Sequence, residues 1–149
     1  MNVSNLKPVF VLNGPNLNLL GTRNVNVYGA KTLDDIEAGL LDKAAQLKLS
    51  IDFRQSNQEG DLITWCQEAG EAASGLIINA GGYTHTSVAL RDALEPLTIP
   101  VYEVHLSNIY AREDFRRTSL LSEHAVGVIA GFGEAGYHFA LEELAKKLT

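Results

Sequence analysis

A chain of 149 residues suits one compact domain, expected to span residues 1–149, and leaves little room for a second. Hydrophobic residues make up 46% and charged residues 20%, with a mean hydropathy of −0.01, the profile of an ordinary soluble globular protein. The net charge of −6 argues against a nucleic-acid partner, and no apolar run approaches a membrane span or a secretory leader, so a cytoplasmic protein is expected.

Pro8 to Leu12 is β-branched and aromatic and stops at Asn13-Gly14-Pro15-Asn16, so it reads as a buried strand followed by a loop. Residues 13–31 form an asparagine-rich loop, long for a compact domain, and long loops are more often functional. Thr32 opens a helix whose apolar face carries Leu33, Ile36, Leu40, Ala44 and Leu47. Leu49 to Phe53 alternates and reads as a second strand. Ser56-Asn57-Gln58-Glu59 has the form of a capping box, with a helix to about Ala73. Cys66 lies in that helix, and as the lone cysteine it reads as a buried small hydrophobe in a reducing compartment.

Gly75 to Asn79 is a third, buried strand, ending at Ala80-Gly81-Gly82. Thr86 or Ser87 caps the next helix, which ends near Pro96. Ile99 to Val104 is a fourth strand, Asn108 to Arg117 a charged helical stretch, Ala125 to Ala130 a fifth strand, and Glu134 to Leu148 a last amphipathic helix. Alternating strands and helices imply a parallel sheet covered on both faces. Five strands at this length suit a flavodoxin-like three-layer α/β sandwich with the order 2-1-3-4-5.

In such a sheet ligands bind beyond the carboxyl ends of the strands, where the strand order reverses. The ends concerned are Asn13-Gly14-Pro15-Asn16, Asn79-Ala80-Gly81-Gly82 and Glu103-Val104-His105. Glu103 and His105 are two apart on a strand and share a face, so the carboxylate orients the imidazole and favours its charged, acidic form. Tyr28 and Arg23 lie in the long loop. A guanidinium beside a phenol favours phenolate and makes a base, although a loop tyrosine equally serves as a packing lid. His85 suits a ligand contact, a helix cap or solvent. His124 and His138 lack polar company and read as structural.

Gly131-Phe132-Gly133-Glu134-Ala135-Gly136 matches a dinucleotide-binding pattern, but too little chain follows to supply the acidic ribose ligand, so it reads as a tight strand–helix turn. Glu103, His105 and His85 match no metal-ligand spacing, so acid–base roles are preferred to a zinc-dependent hydrolase, and no metal or cofactor is expected. A base, an acid, amides and arginines suit proton abstraction beside a carbonyl, followed by elimination or isomerisation.

Four segments carry a resemblance: Asn13 to Arg23 with Tyr28-Gly29, Asn79 to Ser87, Glu103 to Asn108, and Ala111 to Arg117. In order and register they resemble the type II 3-dehydroquinate dehydratases. The resemblance implies conversion of 3-dehydroquinate to 3-dehydroshikimate by anti elimination through an enolate, in shikimate synthesis or quinate breakdown. It implies that Tyr28 is the base, ionised with help from Arg23. Asn16 would hold a water at the enolate, and His105, oriented by Glu103, would protonate the departing hydroxyl. Asn79, with the backbone of Leu106 and Ser107, would hold the substrate carboxylate. His85 and Arg116 would bind ring hydroxyls, Gly81 would line the same subsite, and Arg112 would support the lid. The family assembles as dodecamers, tetramers of trimers, in which the acid matching Asp92 approaches a neighbour's site. One departure stands out: the family usually has Glu-Pro after the lid arginine, and here Asn24-Val25 follows Arg23. Losing the proline is expected to loosen the loop. The competing reading is a flavodoxin-like module that binds flavin or phosphate without catalysis. Its weakness is that the loop after the first strand is dominated by asparagine.

Overall fold

The computed structural model describes residues 5–22 and 24–149. Five parallel strands form one sheet: β1 (Val9–Asn13), β2 (Ile51–Gln55), β3 (Gly75–Asn79), β4 (Val101–His105) and β5 (Gly127–Ala130), in the order β2-β1-β3-β4-β5. Every residue of β1 and β3 is buried, which is why both read as unbroken apolar runs. The edge strands β2 and β5 are only half covered.

Successive side chains of a strand leave on opposite faces. Val9 and Val11 of β1 join Ile77 and Val104 in a core closed by α2 (Leu33–Gln46) and α5 (Ala135–Leu148). Phe10 and Leu12 join Leu76, Ile78 and Val101 in a second core under α3 (Glu59–Ala72) and α4 (Val88–Leu94). The result is three layers with the sheet in the middle. Cys66 is fully buried in the second core, where desolvation pushes its thiol up to about 12.

Element boundaries differ from the sequence reading where turn chemistry intervenes. β2 begins at Ile51, two residues late, because Lys48 turns the chain in a left-handed conformation (φ 59°) after α2. The capping box sits on α2. There the Thr32 hydroxyl accepts from the Asp35 amide at 3.1 Å, and the Asp35 carboxylate accepts from the Thr32 amide at 3.0 Å. At the expected box, Ser56 stands too far ahead of the helix. Its hydroxyl accepts from the Gln58 amide and donates to the Asp61 carboxylate, so Glu59 never closes the box. Ser87, not Thr86, caps α4 by accepting from the Leu90 amide at 2.9 Å. The expected helix over 108–117 is two 3₁₀ turns, Ile109–Ala111 and Asp114–Arg117, interrupted by extended backbone at Arg112.

Gly131 and Gly133 both have positive φ, and their amides donate to the carbonyls of His105, the last residue of β4, and of Leu106, which follows it. The glycine-rich match is therefore a strand–helix turn. Gly14 is under a stricter demand. A Cβ there would lie 2.3 Å from the Ala80 carbonyl oxygen, backbone against backbone, where the turns after β1 and β3 meet. Gly14→Ala is expected to cost about 3 kcal/mol, because neither turn can withdraw without parting the strands. Denaturant melting should show a lower midpoint, and an unchanged midpoint would mean that the two turns are free to separate.

Candidate active site

Strand order reverses between β1 and β3, and their last residues, Asn13 and Asn79, are direct partners in the ladder. Both side chains are buried and both need hydrogen bonds there. Tyr137 of α5 supplies them. Its hydroxyl donates to Asn13 Oδ1 at 2.6 Å and accepts from Asn79 Nδ2 at 3.0 Å. Asn13 Nδ2 donates to the Arg54 carbonyl, and Asn79 Oδ1 accepts from the Gly81 amide at 3.2 Å. Burial pushes the Tyr137 phenol well above its ordinary range, so it stays neutral and serves as a strut. Sequence reading missed Tyr137, whose helical spacing marks it only as core.

Asn16 sits in a left-handed conformation (φ 69°) that asparagine tolerates, and its amide donates to Asn57 Oδ1 at 2.9 Å. Gly81, also at positive φ, lets the turn after β3 pass against Pro15. These two turns form one wall of a cavity of about 120 Å³.

β4 forms the floor. Val101 packs in the α3/α4 core, and by the period of two Glu103 and His105 share its face. Glu103 Oε2 lies 2.5 Å from His105 Nε2, and the two residues are 1% and 5% exposed. Glu103 is enclosed behind the histidine, while His105 lines the cavity. With Nε2 committed to the carboxylate, Nδ1 is the ring nitrogen left to serve a ligand. His85 also lines the cavity, its ring stacked 6.3 Å from that of His105. His85 Nδ1 lies 2.8 Å from the Thr118 carbonyl oxygen. A carbonyl only accepts, so Nδ1 carries the proton and Nε2 is the other reactive position.

The remaining wall comes from the loop and the turns after β4. Tyr28 ends α1 (Val25–Tyr28), and the Arg112 guanidinium stacks 5.1 Å from the centre of its ring. Arg112 also donates to Ser107 Oγ at 3.2 Å. The extended backbone at Arg112 that breaks the expected helix permits both contacts. Arg116 lines the cavity and pairs with Glu113. Leu106 and Ser107 lie on the same rim. The cavity thus brings together Asn16, Tyr28, Asn79, Gly81, His85, His105, Leu106, Ser107, Arg112 and Arg116.

Two expected residues stand apart. Asp92, on α4, lies outside this cavity and pairs with Arg91 at 2.9 Å. Arg23 falls outside the described residues. Beyond it, Asn24 starts α1 in the left-handed region (φ 36°, ψ 58°). A residue preceding proline disfavours helical backbone and prefers extended conformations. The Asn24 conformation is thus one that a proline at position 25 would disfavour. Among the described residues, no group of three or more His, Cys, Asp or Glu is placed to hold a metal.

The family model described as dehydroquinase class II matches residues 7–145. A 3-dehydroquinate dehydratase of Mesorhizobium japonicum is 56% identical over 144 residues, covering 96% of this chain and all of that one. One of Brucella canis is 59% identical over 139 residues, covering 93% of this chain and 88% of the other. Among solved structures, a type II dehydroquinase of Propionibacterium acnes superposes with a TM-score of 0.91 at 42% identity, covering 94% of this chain and 97% of that one.

Proposed function

The chain belongs to the class II dehydroquinase family, and from that premise we propose how its residues remove water from 3-dehydroquinate to give 3-dehydroshikimate. It is a hydro-lyase, and the competing flavin-binding module has no support. Tyr28, as phenolate, takes a proton from the carbon beside the ketone. The electron pair moves onto the ketone oxygen, and the enolate is met by a water that Asn16 holds. As the enolate collapses, the carbon–oxygen bond of the leaving hydroxyl breaks and a carbon–carbon double bond forms. His105 Nδ1 delivers a proton to that hydroxyl, which departs as water.

Asn79 and the backbone of Leu106 and Ser107 hold the substrate carboxylate, with Gly81 giving close approach. His85 and Arg116 orient ring hydroxyls. Arg23 and Arg112 compensate negative charge on Tyr28, and Glu103 holds His105. One observation carries this reading: a single cavity holds a tyrosine stacked under a guanidinium and a histidine backed by a buried carboxylate. Those are the base and the acid that an elimination needs.

We propose further that residues 1–149 act as one catalytic domain needing no cofactor, that the chain assembles as a dodecamer, a tetramer of trimers, and that it works in the cytoplasm on the shikimate pathway. In that assembly Asp92, which lies on α4 outside its own cavity and pairs with Arg91, would serve a neighbouring copy. Exposed Phe132 and Phe139, in edge-to-face contact, offer further apolar surface. No helix among the described residues is long and apolar enough to cross a membrane.

Adding 3-dehydroquinate to the purified protein in excess chelator should give a steady rise in the ultraviolet absorbance of a conjugated enone carboxylate. Absorbance that rises only when a divalent metal is restored would replace acid–base chemistry with metal-assisted elimination.

A further inference from the structure

Both cavity histidines are held from behind by one short segment, residues 118–122. The Thr118 carbonyl accepts from His85 Nδ1. The Leu120 amide donates to the Thr84 carbonyl at 2.9 Å, tying the segment to the turn that carries His85. Ser119 Oγ lies 2.9 Å from Glu103 Oε1, the oxygen that His105 does not use.

The direction of that last hydrogen bond is forced. A serine hydroxyl has one proton and two lone pairs. Here the amides of Leu121 and Ser122 donate to Ser119 Oγ, each at 3.1 Å. Both lone pairs are taken, so the single proton goes to Glu103. Oε1 must then be an acceptor, and the carboxyl can hold a proton only on Oε2, where it would compete with His105 Nε2. If Glu103 took that proton, His105 would be left as a neutral ring with its hydrogen on Nδ1, a far weaker acid than imidazolium.

We propose that Ser119 is a positioning residue for the acid: its hydroxyl keeps Glu103 as the acceptor of the His105 Nε2 proton, so that charge and acidity stay on His105. This rests on the reading of His105 as the acid. The other titratable groups facing the same cavity are Tyr28, His85, Arg112 and Arg116, and none of them touches Glu103 in the contacts described. Ser119 therefore acts on the buried side of the dyad, and the cavity groups act on the open side.

The test uses the full chain labelled with ¹³C and ¹⁵N histidine, because ring shifts report which nitrogen carries hydrogen. Wild type is expected to keep a hydrogen on His105 Nε2 in the neutral ring as in the imidazolium, and to show His85 in the Nδ1–H form. In Ser119→Ala, part of the neutral His105 should carry its hydrogen on Nδ1 instead. kcat on 3-dehydroquinate should fall about tenfold with KM little changed, and the kcat–pH profile should move. Ser119→Thr, which keeps the hydroxyl, should restore both. Ser122→Ala, which keeps the amide donor and the Glu103 contact, should behave as wild type. Two results would overturn the proposal: Ser119→Ala with His105 and the kcat–pH profile unchanged, or Ser122→Ala reproducing the changes, which would make them a general loosening of the segment. The spectra need no substrate. Protein inactive on 3-dehydroquinate would therefore sink the functional reading, while the proton positions still decide the role of Ser119.

Discussion

Replacing Tyr28 by phenylalanine is expected to lower kcat about 10³-fold, with KM and the melting temperature little changed. The substitution removes one oxygen and keeps the ring. That ring packs against the α2/α5 core and lies under the Arg112 guanidinium, and both contacts survive in phenylalanine. What disappears is the atom proposed to receive the carbon-bound proton. Stopped-flow absorbance at saturating 3-dehydroquinate separates this loss from a binding defect, since an interaction used only in the transition state leaves ground-state affinity alone. Arg112→Ala should also reduce kcat, by less, because it removes a compensating charge and not the base. A Tyr28→Phe protein with wild-type kcat would exclude Tyr28 as the base. The next group to examine would be His85, whose Nδ1 is committed to Thr118 and whose Nε2 is not.

Much of this site was legible in the sequence because its main parts are local. Buried strands announce themselves as apolar runs, and their ends can be read directly as the segments beginning at Asn13, Asn79 and Glu103. The pairing of Glu103 with His105 needs only the period of two. Edge strands were read less well: β2 and β5 bury one face incompletely, so their patterns fade and turn residues such as Lys48 set the limits. The supporting residues were not legible at all. Tyr137 is 124 residues from the Asn13 it braces, and Ser119 is 16 from Glu103. Each has an ordinary sequence context, a helical core position and a polar loop, and its role exists only once the sheet is assembled. The Asn24-Val25 departure reads as a lost proline in sequence. In the fold it is a left-handed turn with its own geometry.

Glu103→Gln is expected to lower kcat about 10²-fold although it changes no shape, and His105→Ala to lower it about 10³-fold. The carboxylate presents two acceptors to two donors, Ser119 Oγ–H and His105 Nε2–H. An amide presents one acceptor and one donor. Ser119 cannot turn its proton away, because both of its lone pairs are held by backbone amides. The glutamine oxygen must therefore face Ser119, and its NH₂ group must face His105 Nε2. Two donors cannot share that contact, so His105 gives up its Nε2 hydrogen and carries one on Nδ1 as a neutral ring. The site keeps its geometry and an N–H on the nitrogen left to serve the cavity, but imidazolium there has lost its counter-charge and its acceptor. Loss of the imidazole altogether leaves the leaving group to solvent, hence the larger effect of His105→Ala. Histidine ring shifts and kcat measured on the same Glu103→Gln sample decide the matter. A flipped tautomer with full activity would mean that a neutral His105 suffices as the acid. An unflipped tautomer would mean that the Ser119 proton is free to turn after all.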